Sequence, residues 1–138
     1  MAISEFKDHY QVVILGGGTA GITVAAQLRR KLKTYDVAIV EPSTKHYYQP
    51  LWTLVGAGVF PKEQSERAES AFIPQGADWI REHVAEFHPE QNYVVTREGR
   101  RIGYDFLVIG LGMFISSFVA RKGAPTEVPQ FSVADNYR

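Results

Sequence analysis

The chain has 138 residues, of which 15 are basic and 15 acidic, so that it carries no net charge. This length suits one ordinary domain with a single core, and the balanced charge argues against nucleic acid or an anionic membrane as a partner. The chain contains no cysteine, which excludes disulfides, thiolate metal sites and thiol chemistry within these residues.

The first 41 residues predict a strand, a helix and a second strand. Residues 10–15 (YQVVIL) are rich in β-branched and aromatic side chains and end at three glycines, as a buried strand does. From Thr19 onward apolar residues recur every three or four positions and basic residues gather at the end, which predicts a helix. Residues 37–40 (VAIV) predict another buried strand. Together these elements predict a right-handed crossover between parallel strands.

The rest of the chain predicts mainly antiparallel strands. Residues 61–70 lack an apolar stripe and predict a surface connection or a weak helix, whereas residues 79–87 alternate in part, as a strand with one solvated face does. Residues 92–112 predict a hairpin that turns near Glu98 and Gly99, followed by a buried strand at residues 106–109.

A glycine-rich turn separates the first strand from the helix. In the pattern Gly16-x-Gly18-x-x-Gly21, the first glycine permits a tight turn, the second lets the backbone approach a diphosphate, and the third lets the helix pack close to the strand. The free N–H groups of the first helical turn favour phosphate binding. Glu41 ends the second strand 20 residues after Gly21, where a carboxylate can accept hydrogen bonds from ribose hydroxyls.

This combination predicts an α/β fold, a Rossmann-like FAD/NAD(P)-binding domain whose parallel sheet carries an antiparallel β excursion. The alternative is a plain turn followed by a solvated acid. That interpretation requires a strand, three spaced glycines, a helix and an acid to coincide by accident.

Residues 46–58 (HYYQPLWTLVGAG) combine several rings with a proline and two glycines. They predict a wall packed against a flat aromatic ligand, because glycine lets the backbone come close and rings stack well. Ordinary core packing under a long loop is an equally good explanation for four of these residues: Tyr47, Tyr48, Leu51 and Trp52.

None of the four histidines shows metal-ligand spacing. His46 lies beside the aromatic loop and could tune the charge of a ligand, although a polar loop histidine is the commoner case. The other three, His9, His83 and His88, are predicted to be surface or strand residues.

Residues 104–112 (YDFLVIGLG) resemble the second signature of two-dinucleotide-binding flavoproteins. With LGGGTAGI and AIVEPSTKHYYQPLWTLVGAG, they make the chain resemble the N-terminal part of the sulfide:quinone oxidoreductases, particularly the mitochondrial-like type. The resemblance implies FAD as cofactor, with Gln49 beside the flavin and the Val84 backbone near the adenine. The residues that it implies for FAD binding are Gly16, Gly18, Thr19, Ala20, Gly21, Glu41, Gln49, Val84 and Gly112.

Members of that family oxidise sulfide at two redox-active cysteines and pass electrons through FAD to a quinone. The resemblance implies that residues 1–112 form the FAD-binding domain and that residues 113–138 form an irregular connection towards a missing second domain. Because the chain lacks cysteine, we expect no catalytic residue in it and no oxidation of sulfide by these residues alone.

Two alternatives stay open: a non-catalytic dinucleotide-binding fragment, and a relative of the membrane NADH:quinone dehydrogenases, which need no cysteine pair. The resemblance also implies a peripheral position on the mitochondrial inner membrane or a bacterial membrane. No apolar run reaches bilayer length and no signal or transit peptide is visible. We therefore expect membrane contact only through segments absent here.

Overall fold

The structure is a computed structural model that describes residues 6–112. Its strands are β1 (His9–Leu15), β2 (Val37–Val40), β3 (Lys45–Tyr47), β4 (Glu66–Ala68), β5 (Asp78–Ile80), β6 (Val84–His88), β7 (Tyr93–Thr96) and β8 (Arg101–Ile109). Its α-helices are α1 (Thr19–Lys31) and α2 (Trp52–Gly56), and short 3₁₀ helices cover Gln49–Leu51, Lys62–Ser65, Glu69–Ala71 and Pro89–Gln91. The connection predicted for residues 113–138 lies outside the described residues.

Strand β1 lies at the centre of a mostly parallel sheet. It pairs in parallel with β2 on one side and with β8 on the other, and β2 pairs in parallel with β5. Helix α1 connects β1 to β2, as the apolar periodicity after Thr19 predicts. The predicted α/β class with a parallel sheet and an antiparallel excursion is therefore confirmed.

Helix α1 covers one face of the parallel sheet. Ala25 is fully buried and packs with Ile14 of β1 and Ile39 of β2. Because α1 presents a small residue at this contact, the helix axis can lie close to the strands. The two strands bury side chains on both faces, which is why their sequences are continuously apolar.

The other face is covered by the antiparallel ribbon of β6, β7 and the start of β8. Sheet order is β5-β2-β1-β8-β7-β6, which puts β5 and β6 at opposite edges although only residues 81–83 connect them. Five strand spacings of a flat sheet cover roughly 24 Å, more than the roughly 14 Å that so short a connection can reach. The sheet must therefore curl, and Val84 and Val94 of the ribbon share a core cluster with Val13 of β1.

Residues 79–87 form two strands, so the prediction of a single strand was wrong. The chain breaks at residues 81–83, where it leaves the parallel edge beside β2 and enters the ribbon beside β7. Strand β4 was also not foreseen; it lies within residues 61–70 and pairs with β3 in an antiparallel hairpin. Three-residue strands such as β3 and β4 are too short for alternation to stand out.

The hairpin predicted near Glu98 and Gly99 is present, and Gly99 has the positive φ of 84° that such a turn favours. The strand after it was predicted to be buried at residues 106–109. This prediction is wrong for the first and the last residue of that range, which are exposed. Phe106 is 65% exposed and Ile109 is 62% exposed. No other described element packs over these two side chains, because the ribbon pairs only with the first residues of β8.

We expect Tyr10→Phe to destabilise the fold. The buried Tyr10 hydroxyl donates to Asp78 Oδ2 at 2.8 Å and accepts from the Lys7 amide at 3.1 Å, tying β1 to β5 across the intervening β2. Burial, together with the hydrogen bond to Asp78, raises the pKa of this phenol well above its ordinary value. Removing the hydroxyl should lower the free energy of unfolding by about 1–2 kcal/mol, measured by denaturant titration.

The matched control is Tyr48→Phe, because Tyr48 is 57% exposed. Its unfolding midpoint should equal that of the wild type. If both variants lost the same free energy of unfolding, the buried hydroxyl of Tyr10 would have no special role.

Candidate functional site

Gly16 and Gly21 allow β1, α1 and β8 to meet at one point. Gly16 has a φ of 97°, and a side chain there would lie 2.6 Å from the carbonyl oxygen of Gly110. A side chain on Gly21 would overlap the carbonyl oxygen of Gly16. Only hydrogen atoms fit at this crossing, so the helix starts directly at the carboxyl ends of two parallel strands.

Helix α1 begins without a side-chain cap. Its N-cap residue is Gly18 in an extended conformation, and its first turn contains no acidic residue. The amides of Thr19, Ala20 and Gly21 have no carbonyl partner within the helix, and a side chain on Gly18 would meet no atom within 4 Å. Gly18, Thr19 and Ala20 are exposed whereas Gly21 is buried, so the unpaired amides of Thr19 and Ala20 lie with the positive end of the helix dipole at an open surface, an arrangement that suits an anion.

The Glu41 carboxylate lies against the glycine turn. Its Oε2 accepts a hydrogen bond from the Gly17 amide at 2.7 Å, and its Oε1 accepts one from the Ser43 amide at 2.7 Å. The backbone of Glu41 is held by Trp79, whose indole N–H donates to its carbonyl oxygen at 2.8 Å. Since each carboxylate oxygen can accept more than one hydrogen bond, Glu41 retains capacity for a ligand hydroxyl.

A cavity of about 540 Å³ opens between the start of α1 and the β3–β4 hairpin. Thr19 and Ile22 form its wall on the helix, and Gln64 and Arg67 supply polar groups on the hairpin side. The rest of the lining consists of three apolar or aromatic side chains and two polar ones, namely Tyr48, Leu51, Phe72, His46 and Ser65. The cavity thus continues from the amides of α1 towards a partly aromatic surface.

The aromatic loop is not ordinary core. Tyr48 is 57% exposed and Trp52 is 45% exposed, so the core explanation is wrong for these two residues. Tyr48 and Leu51 line the cavity. Trp52 instead turns its indole N–H to the Ser65 hydroxyl at 3.2 Å and lies beside the ring of Tyr47.

The structure brings together only some of the residues predicted to bind FAD. Those at the turn and its neighbouring strand end are Gly16, Gly18, Thr19, Ala20, Gly21 and Glu41. Gln49 is exposed beside the cavity, whose wall contains its neighbours. Val84 is buried in the ribbon core, and Gly112 is exposed after β8. Their binding roles stay predictions.

Sequence reasoning missed Glu69, which is only 1% exposed. Its Oε2 lies 3.3 Å from His46 Nδ1, while its Oε1 is buried and has no hydrogen-bond partner. A side chain on Gly17 would lie 2.6 Å from this Oε1 and 2.6 Å from the Glu41 Cγ. Residues 61–70 look uniformly polar, so nothing in the sequence distinguishes Glu69 from solvated acids.

His46 is buried as well, contrary to its interpretation as a polar loop histidine. It belongs to β3, and its ring lies 4.7 Å from that of Phe72. Burial raises the pKa of the Glu69 carboxyl above its ordinary value; the neighbouring His46 opposes this rise and the charge of Glu41 adds to it.

Two further histidines each lie beside a single acidic side chain. His9 pairs with Asp105 at 2.9 Å, and His88 pairs with Glu86 at 3.0 Å, both at the surface. Within residues 6–112, no group of three or more histidine, cysteine or acidic side chains could hold a metal ion. None of the helices in this part of the chain is long and apolar enough to cross a membrane.

Comparison with known proteins places this geometry in context. A family described as pyridine nucleotide-disulphide oxidoreductase matches residues 10–128. The chain is 46% identical over 134 residues to the mitochondrial sulfide:quinone oxidoreductase of Dictyostelium discoideum, and 43% identical over 131 residues to that of Mus musculus. These matches cover 96% and 95% of this chain but 29% of each relative.

A solved structure is similar too. The sulfide:quinone oxidoreductase of Aquifex aeolicus superimposes with a TM-score of 0.62 at 26% identity, covering 75% of this chain and 24% of that one. The resemblance drawn from the glycine turn and the aromatic loop is therefore confirmed. The chain spans about 29% of the length of the curated relatives that it matches.

We expect Gly17→Ala to destabilise the free protein clearly more than Gly18→Ala does, since Gly18→Ala changes only an N-cap residue. The new methyl group at Gly17 would collide with Glu41 and with Glu69 Oε1, whereas at Gly18 it would enter open space. Overpacking should cost about 1–3 kcal/mol of unfolding free energy, measured by denaturant titration without ligand. Equal stability of the two variants would contradict the close packing around Gly17.

Proposed function

The chain belongs to the pyridine nucleotide-disulphide oxidoreductase family, and we propose that it supplies the FAD-binding part of a sulfide:quinone oxidoreductase. Members of this family are flavoproteins whose cofactor is FAD. The observation that carries the proposal is the uncapped start of α1, whose amides face open space at Gly18 beside the Glu41 carboxylate. The identity to mitochondrial sulfide:quinone oxidoreductases favours this branch of the family.

The residues present fit a dinucleotide. The amides of Thr19 and Ala20 would hold the diphosphate, because they lack partners and lie at the positive end of the helix. Glu41 would accept hydrogen bonds from the ribose hydroxyls and would repel a phosphate at the 2′ position. The cavity that begins at Thr19 offers room for the rest of the molecule, with Tyr48 and Leu51 along its wall.

FAD, when bound, supplies the capacity to accept an electron pair and to pass it on to a quinone. The residues of this chain bind and orient that group. The chain contains no cysteine, so we propose no attack on sulfide by these 138 residues. We propose that residues 1–112 are the FAD-binding domain and that residues 113–138 lead towards a second domain.

We expect FAD added to the purified chain to give a shifted flavin absorption band that survives desalting. Gly18→Val should abolish this band while leaving the unfolding midpoint unchanged, because its methyl groups would enter only the space that the diphosphate needs. Ala85→Val, at an exposed position of β6, serves as the control and should bind FAD as the wild type does. Retained flavin in Gly18→Val would place the site elsewhere.

A second experiment separates the reaction classes. With FAD bound, sulfide should bleach the flavin no faster than it bleaches free FAD, since no thiolate nucleophile is available. Stopped-flow absorbance measures both rates. Rapid bleaching by NADH instead would favour a relative of the NADH:quinone dehydrogenases and would contradict the proposed branch.

A further inference from the structure

Two acidic side chains flank the same glycine. Glu41 Cγ and Glu69 Oε1 each lie 2.6 Å from the position that a Gly17 side chain would occupy, so the two acids approach each other closely. They reach this place from different elements, since Glu41 follows β2 and Glu69 begins the 3₁₀ helix Glu69–Ala71. Glu69 has no role in the family resemblance or in the proposed contacts to FAD.

The two carboxyl groups have unlike surroundings. Both oxygens of Glu41 accept backbone N–H groups, which suits an ionised carboxylate. Glu69 is 1% exposed, and its Oε1 has no donor. A buried acceptor without a donor is costly for a carboxylate, but a protonated Oε1 becomes a donor itself. The proton therefore belongs on Glu69.

The ionisable groups that face Glu69 are His46 from β3 and Glu41 from the end of β2. His46 Nδ1 lies 3.3 Å from Oε2, so an N–H at this position points a proton at that oxygen and leaves Oε1 to carry the acid proton. His46 is itself buried against Phe72.

We propose that Glu69 is a positioning residue of the FAD site: its neutral carboxyl lets the ionised Glu41 stay against the Gly17 turn, and loss of the Glu69 proton weakens cofactor binding. Only the part of this inference that concerns FAD binding rests on the proposed function. Deprotonation would put a second negative charge beside Glu41, close to the turn that receives the diphosphate. Repulsion then opposes both the Glu41 contact to Gly17 and the approach of an anionic ligand.

The direction of the pH dependence follows from the raised pKa of Glu69. The folded protein holds this proton more tightly than the unfolded chain, so folding stability falls as the pH rises above the ordinary value of a glutamic acid. FAD affinity should also fall as the pH rises, because the proposal assigns FAD binding to the protonated form of Glu69. One linked proton changes the dissociation constant by at most about tenfold per pH unit.

The test uses the full 138-residue chain and its Glu69→Gln variant, in which an amide of the same shape stays neutral. FAD affinity is measured by flavin fluorescence from about pH 4 to about pH 9, and unfolding midpoints are measured without ligand over the same range. We expect the wild type to lose affinity and stability with rising pH and Glu69→Gln to lose less of both. At the acid end, the two proteins should bind FAD within about twofold of each other.

Two further variants isolate the effect. Glu66→Gln removes an acid from the adjacent strand β4, where Glu66 pairs with Lys45 at 2.7 Å on the surface; it should keep the wild-type pH profile. His46→Gln removes the group that opposes the pKa rise of Glu69, so its loss of affinity should begin at higher pH than in the wild type.

The outcomes are distinct. If Glu69→Gln keeps the wild-type slopes, or if His46→Gln alone abolishes them, the role of Glu69 is wrong while FAD binding stands. If the wild type binds no FAD at any pH, the proposed function and the cofactor part of this inference both fail. The unfolding profiles then still decide whether Glu69 holds the proton.

Discussion

The closeness of α1 to the ends of β1 and β8 is the constraint on which the rest of the structure depends. Gly16 and Gly21 leave no space for a side chain between these three elements. If the helix stood farther away, its first amides would not lie beside the carboxylate that ends β2. A steric condition on two glycines therefore determines where the first amides of α1 lie and which acid stands next to them.

Two adjacent glycines of this turn have different roles. One is required for close packing in the folded chain, and the other, in our proposal, is required for ligand binding. Gly17 is enclosed by Glu41 and Glu69, whereas Gly18 faces open space. In the sequence the three successive glycines look alike, and the spaced motif assigns a role only to the first and third of them. The middle glycine acquires its role from Glu69, which is 52 positions away in the chain. Tertiary contacts of this kind leave no local pattern.

An element could be predicted from the sequence where its hydrophobic pattern is long or strongly periodic. The strand, helix and strand before Glu41 are continuous or strongly periodic, and all three were confirmed. The hairpin at Gly99 also carries a local signal, because its glycine adopts a positive φ. Strands β3, β4 and β5 have three residues each, and their pairing depends on neighbours that are distant in sequence. The burial of His46 depends on that pairing, so its environment could not be foreseen.

The amount of negative charge around the site matters for binding, because the proposed ligand is itself an anion. The start of α1 contributes the equivalent of about half a positive charge, and the cavity beyond it contains the guanidinium of Arg67. Arg67, however, already donates to the carbonyl oxygens of Gln64 and Glu66. The negative charge of two ionised carboxylates beside Gly17 would be larger than the positive charge of the helix end. One carboxylate can be retained, since it accepts a hydrogen bond from the Gly17 amide. In our proposal the second is compatible with the site only as a neutral acid, and its burial favours that state.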